Sequence, residues 1–269
     1  MGIPVGGGIG GIILLVVILL LSGGLPGGGT DEPAAQNTAA GNLNSCRSGK
    51  DLAQNRDCRF VFYQNSIERF WAAELPRRGK KYSRARLEVF DRSANTGCGP
   101  ATSAVGPFYC PTDRKVYLDI GFFRVLQTDL GAQGGDFAEA YVIAHEYGHH
   151  VQNLYGILGQ IKSREGPASD SVRSELQADC LAGIWTRHAT TVPDSNGRTL
   201  ISGLTNDDIN RGLDAAAAVG DDRIQKKAKG RVTPENFSHG TANQRVHWFK
   251  TGMGSGDLTA CDTWSTDAL

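Results

Sequence analysis

The stretch Asp136–Tyr155, DFAEAYVIAHEYGHHVQNLY, decides the fold of this 269-residue chain. Its apolar residues recur at three- and four-residue spacing, which is the pattern of an amphipathic helix, and Gly156 follows it as a terminator. Asp136 is expected to cap the helix at its N-terminus, with Glu139 three residues later as in a capping box. The sequence therefore predicts one well-defined helix, and this helix contains the pattern H-E-x-x-H at residues 145–149.

The spacing of this pattern is suited to a metal ion. His145 and His149 are four residues apart and share one helix face, so both imidazoles can reach the same ion. Zinc accepts neutral imidazole nitrogens, and a catalytic zinc site also needs a third protein ligand and one open position. Glu146 lies about 100° around the helix, where its carboxylate can reach an attacking water. We therefore expect one Zn²⁺ per chain, with Glu146 as the general base.

A second helix, predicted over residues 171–190, offers the third ligand. Glu175 and Asp179 are again four residues apart and share a face. Small and apolar residues surround them, including Ala178 and Trp185, which is typical of a helix packed against another helix. Glu175 would complete a His₂Glu site, and Asp179 would accept a hydrogen bond from a ligand imidazole and fix its tautomer.

The rest of the pattern predicts an α+β domain that is mainly helical, with a small β-sheet. Two strands are predicted, at Arg86–Phe90 and at residues 115–120, and the Gly- and Pro-rich residues 95–111 between them are read as a loop. Further helices are predicted over residues 59–75 (ended by Pro76), over 122–130, after a Thr205 cap through Ala218, and after a capping box formed by Thr241 and Gln244.

The first residues of the chain suggest a membrane segment. Residues 9–21, IGGIILLVVILLL, together with flanking uncharged residues give a run of roughly 20, enough to span a bilayer as a helix. No Lys or Arg precedes the run and no A-x-A-like site follows it, so a retained anchor over residues 1–25 is favoured; a cleaved signal peptide is the alternative. Residues 26–45 are interpreted as a flexible tether, and residues 46–269 as the globular domain.

The chain has six cysteines and no C-x-x-C pair. An even count behind an apolar head favours disulfides and an oxidising compartment, which predicts a single-pass protein of the cell membrane with an extracytoplasmic domain. Buried free thiols in a cytosolic domain are the alternative. Fifteen pairings are possible for six cysteines, and local closure favours Cys46–Cys58 and Cys98–Cys110, which leaves Cys180–Cys261.

The charge composition bears on whether the protein binds nucleic acid. The 28 Lys+Arg residues balance the 28 Asp+Glu residues, which argues against a nucleic-acid partner, since such binding needs a clustered positive face. His150, His188 and His247 have no partner at metal-ligand spacing and are interpreted as surface or core histidines. The pairs Asp207–Asp208 and Asp221–Asp222 are interpreted as acids at helix starts, where negative charge is favourable.

H-E-x-x-H followed by E-x-x-x-D on a later helix resembles the gluzincin metallopeptidases, including the membrane CAAX prenyl proteases and HtpX-like proteases. Longer strings are similar to the bacterial "putative neutral zinc metallopeptidase" family. These strings are CGPATSAVGPFYCPTDRKVYLDIGFF (98–123), AYVIAHEYGHHVQ (140–152), SELQADCLAGIW (174–185) and SHGTANQRVHWF (238–249). The resemblance implies that residues 46–269 are a zinc metallopeptidase domain acting on a protein or peptide.

The resemblance also implies three further roles. His239, followed by Gly240 where related enzymes often have Pro, would stabilise an oxyanion, and Arg245 would hold the site together. His239 as an ordinary residue beside the Thr241 cap is the alternative. The strand formed by Val116, Tyr117, Leu118, Asp119 and Ile120 would be the edge strand that pairs with extended substrate, or else a plain core strand.

Three functions compete at this stage. The first is a membrane-anchored zinc endopeptidase in which His145, His149 and Glu175 bind the metal and Glu146 and His239 are catalytic. The second is a non-catalytic zinc-binding interaction domain, and the third is a tethered structural module with a coincidental H-E-x-x-H. The intact Glu146 favours the first over the second, because a purely structural zinc site has no need of a base, and such sites are usually closed and rich in cysteine.

Overall fold

The computed structural model describes residues 55–194 and 196–269. Over these ranges the prediction of a mainly helical α+β domain with a small sheet is confirmed. The elements are, in chain order, α1 (Arg56–Arg77), β1 (Arg86–Phe90), β2 (Ser93–Thr96), β3 (Gly99–Thr102), β4 (Phe108–Cys110), β5 (Lys115–Asp119), α2 (Phe122–Thr128), α3 (Asp136–Tyr155), α4 (Asp170–His188), α5 (Asn206–Ala218), α6 (Asp221–Lys229) and α7 (Ala242–Ser255).

Helix termini follow local chemistry in most places. Gly156 ends α3 in the left-handed conformation with φ 78°. The predicted caps at Thr205 and Thr241 are both present, each as a complete capping box. The predicted box at Asp136 and Glu139 is wrong: Gly135 precedes the helix and no side chain caps it. Glu139 is instead drawn into ion pairs with arginines of α1, including a 2.7 Å contact with Arg56.

Helix α1 buries its apolar stripe in the core and extends a little beyond the predicted bounds. It begins after Asn55, whose side chain accepts a hydrogen bond from the backbone N–H of Asp57 at 2.9 Å. It continues through Pro76 to Arg77, so the proline lies in the last turn and the helix ends one residue after it. The buried stripe consists of Phe60, Tyr63, Ile67, Phe70, Trp71 and Leu75.

The sheet has the strand order β1-β5-β4, with β1 parallel and β4 antiparallel to β5. Strand β5 is therefore the central strand, and residues 115–117 of it are paired on both sides. The prediction that Val116–Ile120 is an edge strand is wrong, and Ile120 lies beyond the end of β5. The predicted loop over residues 95–111 is also wrong in part, because it contains β3, β4 and the end of β2.

Close packing of the helices depends on two glycines. A Cβ atom on Gly148 of α3 would lie 2.9 Å from the carbonyl oxygen of Ala178 on α4, and one on Gly252 of α7 would lie 1.8 Å from that of Cys180. Both distances are shorter than Cβ contacts allow, so only glycine permits these backbone approaches. As a result α4 packs against both α3 and α7, and its acidic residues Glu175 and Asp179 contact side chains of both helices.

Two of the three predicted disulfides, Cys98–Cys110 and Cys180–Cys261, are confirmed. The third prediction, Cys46–Cys58, involves Cys46, which lies outside the described residues. The predicted anchor (1–25) and tether (26–45) lie outside them as well. Among the helices of the described ranges, none is both long and apolar enough to cross a membrane.

Candidate metal centre

The candidate metal centre consists of His145 and His149 of α3 and Glu175 of α4. Nε2 of His145 lies 3.1 Å from one carboxylate oxygen of Glu175, and Nε2 of His149 lies 3.3 Å from the other. One ligand atom from each residue can be chosen so that all lie within 4.8 Å of one another. The three side chains are buried, so the structure brings together the three residues that the sequence spacing singled out.

The donor set fits zinc. Two imidazole nitrogens and one carboxylate oxygen are ligands that Zn²⁺ accepts, and three protein ligands leave the fourth tetrahedral position open. Oε1 of Glu175 has no hydrogen-bond partner among the described residues although it is buried. A buried carboxylate oxygen without a partner is costly, and a cation between it and the two imidazoles would remove that cost.

Asp179 and Arg245 orient His145 from the side of the ring opposite the candidate metal position. Asp179 lies one turn after Glu175 on α4, and its Oδ1 accepts a hydrogen bond from Nδ1 of His145 at 2.9 Å. Arg245 of α7 donates to the same carboxylate through Nε at 2.8 Å and Nη2 at 3.1 Å, and the Tyr141 hydroxyl donates to it as well. Because a carboxylate only accepts, Nδ1 carries the proton and Nε2 presents its lone pair to the metal centre.

Gln152 has the same relation to His149, which sequence reasoning missed. Its Oε1 accepts from Nδ1 of His149 at 2.8 Å, and its Nε2 donates to the Ser174 carbonyl at 2.7 Å and to Gln177 Oε1 at 3.0 Å. Gln177 in turn donates to the backbone oxygen of Cys261 at 2.9 Å. The i, i+3 spacing of His149 and Gln152 on α3 is a signal that could have indicated this contact.

The pKa values of the histidines and carboxylates in the candidate metal centre depend on one another. Burial alone lowers the pKa of His145, but Asp179 and Glu175 outweigh it and raise that pKa to about 10. Burial raises the pKa of Glu175, but His149 and His145 outweigh it and hold that pKa well below its ordinary value. The metal-free centre therefore holds protons that a metal ion must displace, so metal affinity falls as the pH falls.

Glu146 is buried and opens with the metal centre into one cleft, which His239 also lines. Burial raises the pKa of Glu146, and the neighbouring His145 and His149 oppose this only in part. A carboxylate whose pKa is raised toward neutrality is a better general base near neutral pH.

His239 is held by Asp221, which the sequence interpretation treated only as an acid at a helix start. Oδ2 of Asp221 accepts from the backbone N–H groups of Ser238, His239 and Gly240 at 2.6–3.0 Å, and Oδ1 lies 3.2 Å from Nδ1 of His239. Nε2 of His239 is buried without a hydrogen-bond partner among the described residues. Burial raises the pKa of Asp221, but His239 and these N–H groups outweigh it and hold that pKa low.

The backbone conformation at residue 240 requires the glycine that stands there in place of the proline that the resemblance leads one to expect. Its φ is 86°, in the left-handed region that the proline ring cannot adopt. Its N–H also donates to Asp221 at 3.0 Å, and proline has no such donor. Glycine is therefore required at this position, and His239 lines the cleft.

The remaining histidines are structural. His150 is fully buried, with Nε2 donating to the Ser83 carbonyl at 2.7 Å and Nδ1 3.0 Å from the Tyr109 hydroxyl. His188 stacks on Phe70 with ring centroids 5.2 Å apart. His188 is half-buried and His247 is exposed, so the three residues agree with the interpretation as surface or core histidines.

A mainly helical α+β domain whose H-E-x-x-H helix packs on a helix bearing a glutamate ligand has the layout of a metallopeptidase. The chain belongs to the family described as "Putative neutral zinc metallopeptidase", which matches residues 1–264. The name of this family implies zinc as the metal.

The chain is similar to curated bacterial proteins. It is 49% identical over 230 residues to the uncharacterized protein Rv2575 of Mycobacterium tuberculosis, covering 85% of this chain and 77% of that protein. It is 42% identical over 205 residues to the uncharacterized protein YpfJ of Escherichia coli K12, covering 74% and 68% respectively. No solved structure matches the chain.

Proposed function

We propose that this chain is a membrane-anchored zinc-dependent endopeptidase that binds one Zn²⁺ through His145, His149 and Glu175. The observation that carries the proposal is the convergence of these buried ligand atoms within 4.8 Å, beside a base that is not needed for metal binding. That base is Glu146, which opens into the same cleft. Membership of the zinc metallopeptidase family supports the same class of reaction.

His145, His149 and Glu175 would hold the zinc, which would supply a lower pKa for the attacking water and polarisation of the scissile carbonyl. Glu146 accepts a proton from the attacking water and returns it to the leaving amine. Asp221 and the Ser238 hydroxyl position the His239 ring through its Nδ1, and Nε2–H would donate a hydrogen bond to the developing oxyanion. Asp179 and Arg245 keep His145 in the tautomer that presents Nε2.

Extended substrate would pair with β4 and not with β5. Strand β5 is paired with β1 along its whole length and with β4 over residues 115–117, whereas β4 lies at the end of the sheet order over the described residues. Phe108 and Tyr109 of β4 also line the cleft that holds Glu146. Pairing through the substrate backbone binds many peptides with little side-chain selection.

The proposed cellular arrangement depends on the sequence. Residues 1–25 would anchor the chain in the cell membrane as a single span, residues 26–45 would tether it, and residues 46–269 would form the metallopeptidase domain. The disulfides Cys98–Cys110 and Cys180–Cys261 support an oxidising, extracytoplasmic location for that domain. The partners are then a protein or peptide substrate and the membrane, with no nucleic acid.

Elemental analysis of the purified full-length protein tests the metal, and hydrolysis of a mixed peptide library tests the reaction. We expect about one zinc per chain and cleavage of internal peptide bonds. Glu146→Gln is the control: it should keep zinc and lose turnover. Zinc without any peptide hydrolysis would support the non-catalytic interaction domain, and a folded protein that binds no zinc would contradict both functions.

A further inference from the structure

The walls of the cleft are apolar away from the metal centre. They come from the segment around β4, from α2 and the loop after it, and from the segment that follows α3. Val142 adds an apolar side chain one helical turn before Glu146 on the same face of α3. The other apolar walls include Val105, Phe108, Phe122, Leu130, Leu158 and Ile161.

The charged groups of the cleft all belong to the site already described. Among the described residues that line it, the carboxylates and the guanidinium are Glu146, Glu175 and Arg245. Arg245 is held by Asp179 through two hydrogen bonds, so it is not available to a ligand. A charged ligand group against the walls would lose its hydration without gaining an ion pair, which is unfavourable.

Polar ligand atoms are needed only at the centre. Nε2 of His239 is buried and has no hydrogen-bond partner among the described residues, and His239 lines the cleft beside the three candidate metal ligands. A ligand that is complementary to this surface has polar atoms in its middle and apolar groups on either side. A peptide group flanked by apolar side chains has this distribution of polarity.

We propose that the cleft takes an internal segment of a polypeptide with apolar side chains beside the scissile bond. The proposal rests on the peptidase function and specifies its substrate class. A terminal ammonium or carboxylate next to the scissile bond would find no spare ion-pair partner in the lining, so chain ends are rejected for the same reason as charged side chains.

Two measurements test the proposal on the zinc-loaded full-length protein. The first is binding of fluorescent peptides to Glu146→Gln by anisotropy, and the second is their cleavage by the wild type. The peptides are identical except for the two residues flanking the central bond, which are Leu-Leu, Lys-Lys or Glu-Glu. We expect the Leu-Leu peptide to bind and to be cleaved at least about 10-fold better than either charged peptide.

Equal or better binding and cleavage of a charged peptide would overturn the substrate class while leaving the peptidase function intact. Failure of the zinc-loaded wild type to cleave any peptide, in this set or in a mixed library, would overturn the peptidase function on which the proposal rests.

A variant with a new charge tests the walls directly. Leu130 is half-buried and lines the cleft, so Leu130→Asp should weaken binding of the Leu-Leu peptide and strengthen binding of the Lys-Lys peptide. Val232→Asp is the matched control, because Val232 is 41% exposed and lies outside the cleft lining, and it should keep the wild-type preference. If Leu130→Asp does not fold, Ile161→Asp provides the same test. An unchanged preference in a folded wall variant would overturn the proposal.

Discussion

Asp179 on α4 lies 2.9 Å from Nδ1 of His145 on α3, and Arg245 on α7 donates to the same carboxylate. One buried acid therefore links the three helices that surround the metal centre. Its position depends on glycine at the helix contacts, and its charge is balanced by a guanidinium that is itself buried. The metal centre and the packing of the core are thus stabilised by the same residue.

Replacing Asp179 tests this link. Asp179→Asn removes the charge that fixes the His145 tautomer, and we expect zinc affinity to fall by roughly 10- to 100-fold. The change also leaves the buried Arg245 without its nearest counter-ion, with Glu175 the remaining one at 3.9 Å, so the free energy of unfolding should fall by about 3 kcal/mol. Competition with a zinc chelator and chemical denaturation measure the two effects. Unchanged affinity in a folded variant would show that Asp179 does not orient the ligand.

Replacing Gln152 should also lower zinc affinity, but by less than replacing Asp179. Gln152→Leu removes the acceptor of His149 Nδ1 and the bonds to Ser174 and Gln177, and we expect zinc affinity to fall by about 10-fold. Gln160→Leu is the control, because the Gln160 side chain is exposed and bonds only the nearby Gly156 carbonyl. Equal chelator competition curves for both variants would contradict the orienting role.

Asp221 should affect turnover without affecting the metal. Asp221→Asn can keep an oxygen for the backbone N–H groups but loses the carboxylate oxygen 3.2 Å from His239 Nδ1, which leaves the Ser238 hydroxyl as the neighbour of that nitrogen. We expect normal zinc content, a fall in kcat of roughly 10- to 100-fold with KM little changed, and an altered pH profile.

Asp207→Asn is the matched control for this prediction. Asp207 is an exposed acid at the start of α5, paired with Arg211 at 2.7 Å, and its variant should behave as wild type. If the Asp221→Asn variant has the wild-type kcat and pH profile, Asp221 has only a structural role.

Gly148 should be sensitive to a single added methyl group. Gly148→Ala places Cβ against Ala178 of α4, so α4 must shift, and we expect a loss of about 1–3 kcal/mol in the free energy of unfolding together with weaker zinc binding. Gly159→Ala, whose Cβ would meet no atom within 4 Å, should be nearly neutral. Thermal and urea unfolding compare the two variants, and equal stability would argue against the tight helix contact.

His150 makes stability depend on pH. Burial lowers its pKa from 6.5 to about 4, only partly opposed by the bond to Ser83. The unfolded chain therefore binds a proton at pH values where the folded protein does not, so the free energy of unfolding decreases as the pH falls from 6.5 toward 4. The contribution is at most about 3 kcal/mol.

Urea unfolding at pH 7, 6 and 5 of the wild type and of His150→Gln isolates this contribution, since every other titrating group is shared. The wild type should lose more stability on acidification than His150→Gln. Equal losses would show that His150 does not carry the effect.

Local spacing was enough to single out the three candidate metal ligands that the structure brings together. The i, i+4 pairs His145–His149 and Glu175–Asp179 are set by the helix repeat, and both lie on the faces that the repeat predicts. Capping boxes at Thr205 and Thr241 were equally local and equally predictable. The contact of Glu139 was not predictable in this way, because its carboxylate pairs with Arg56 of α1, which lies 83 residues earlier in the chain.

The sequence by itself determined the class of fold, the helix that carries H-E-x-x-H and the identity of the candidate ligands, because each depends on residues within a few turns of one another. Only the tertiary structure decided that β5 is central, that Asp221 holds His239, that Gln152 holds His149, and that apolar walls flank the cleft. The physical reason is that strand order and contacts between distant segments depend on which surfaces pack together, and a local repeat carries no information about that choice.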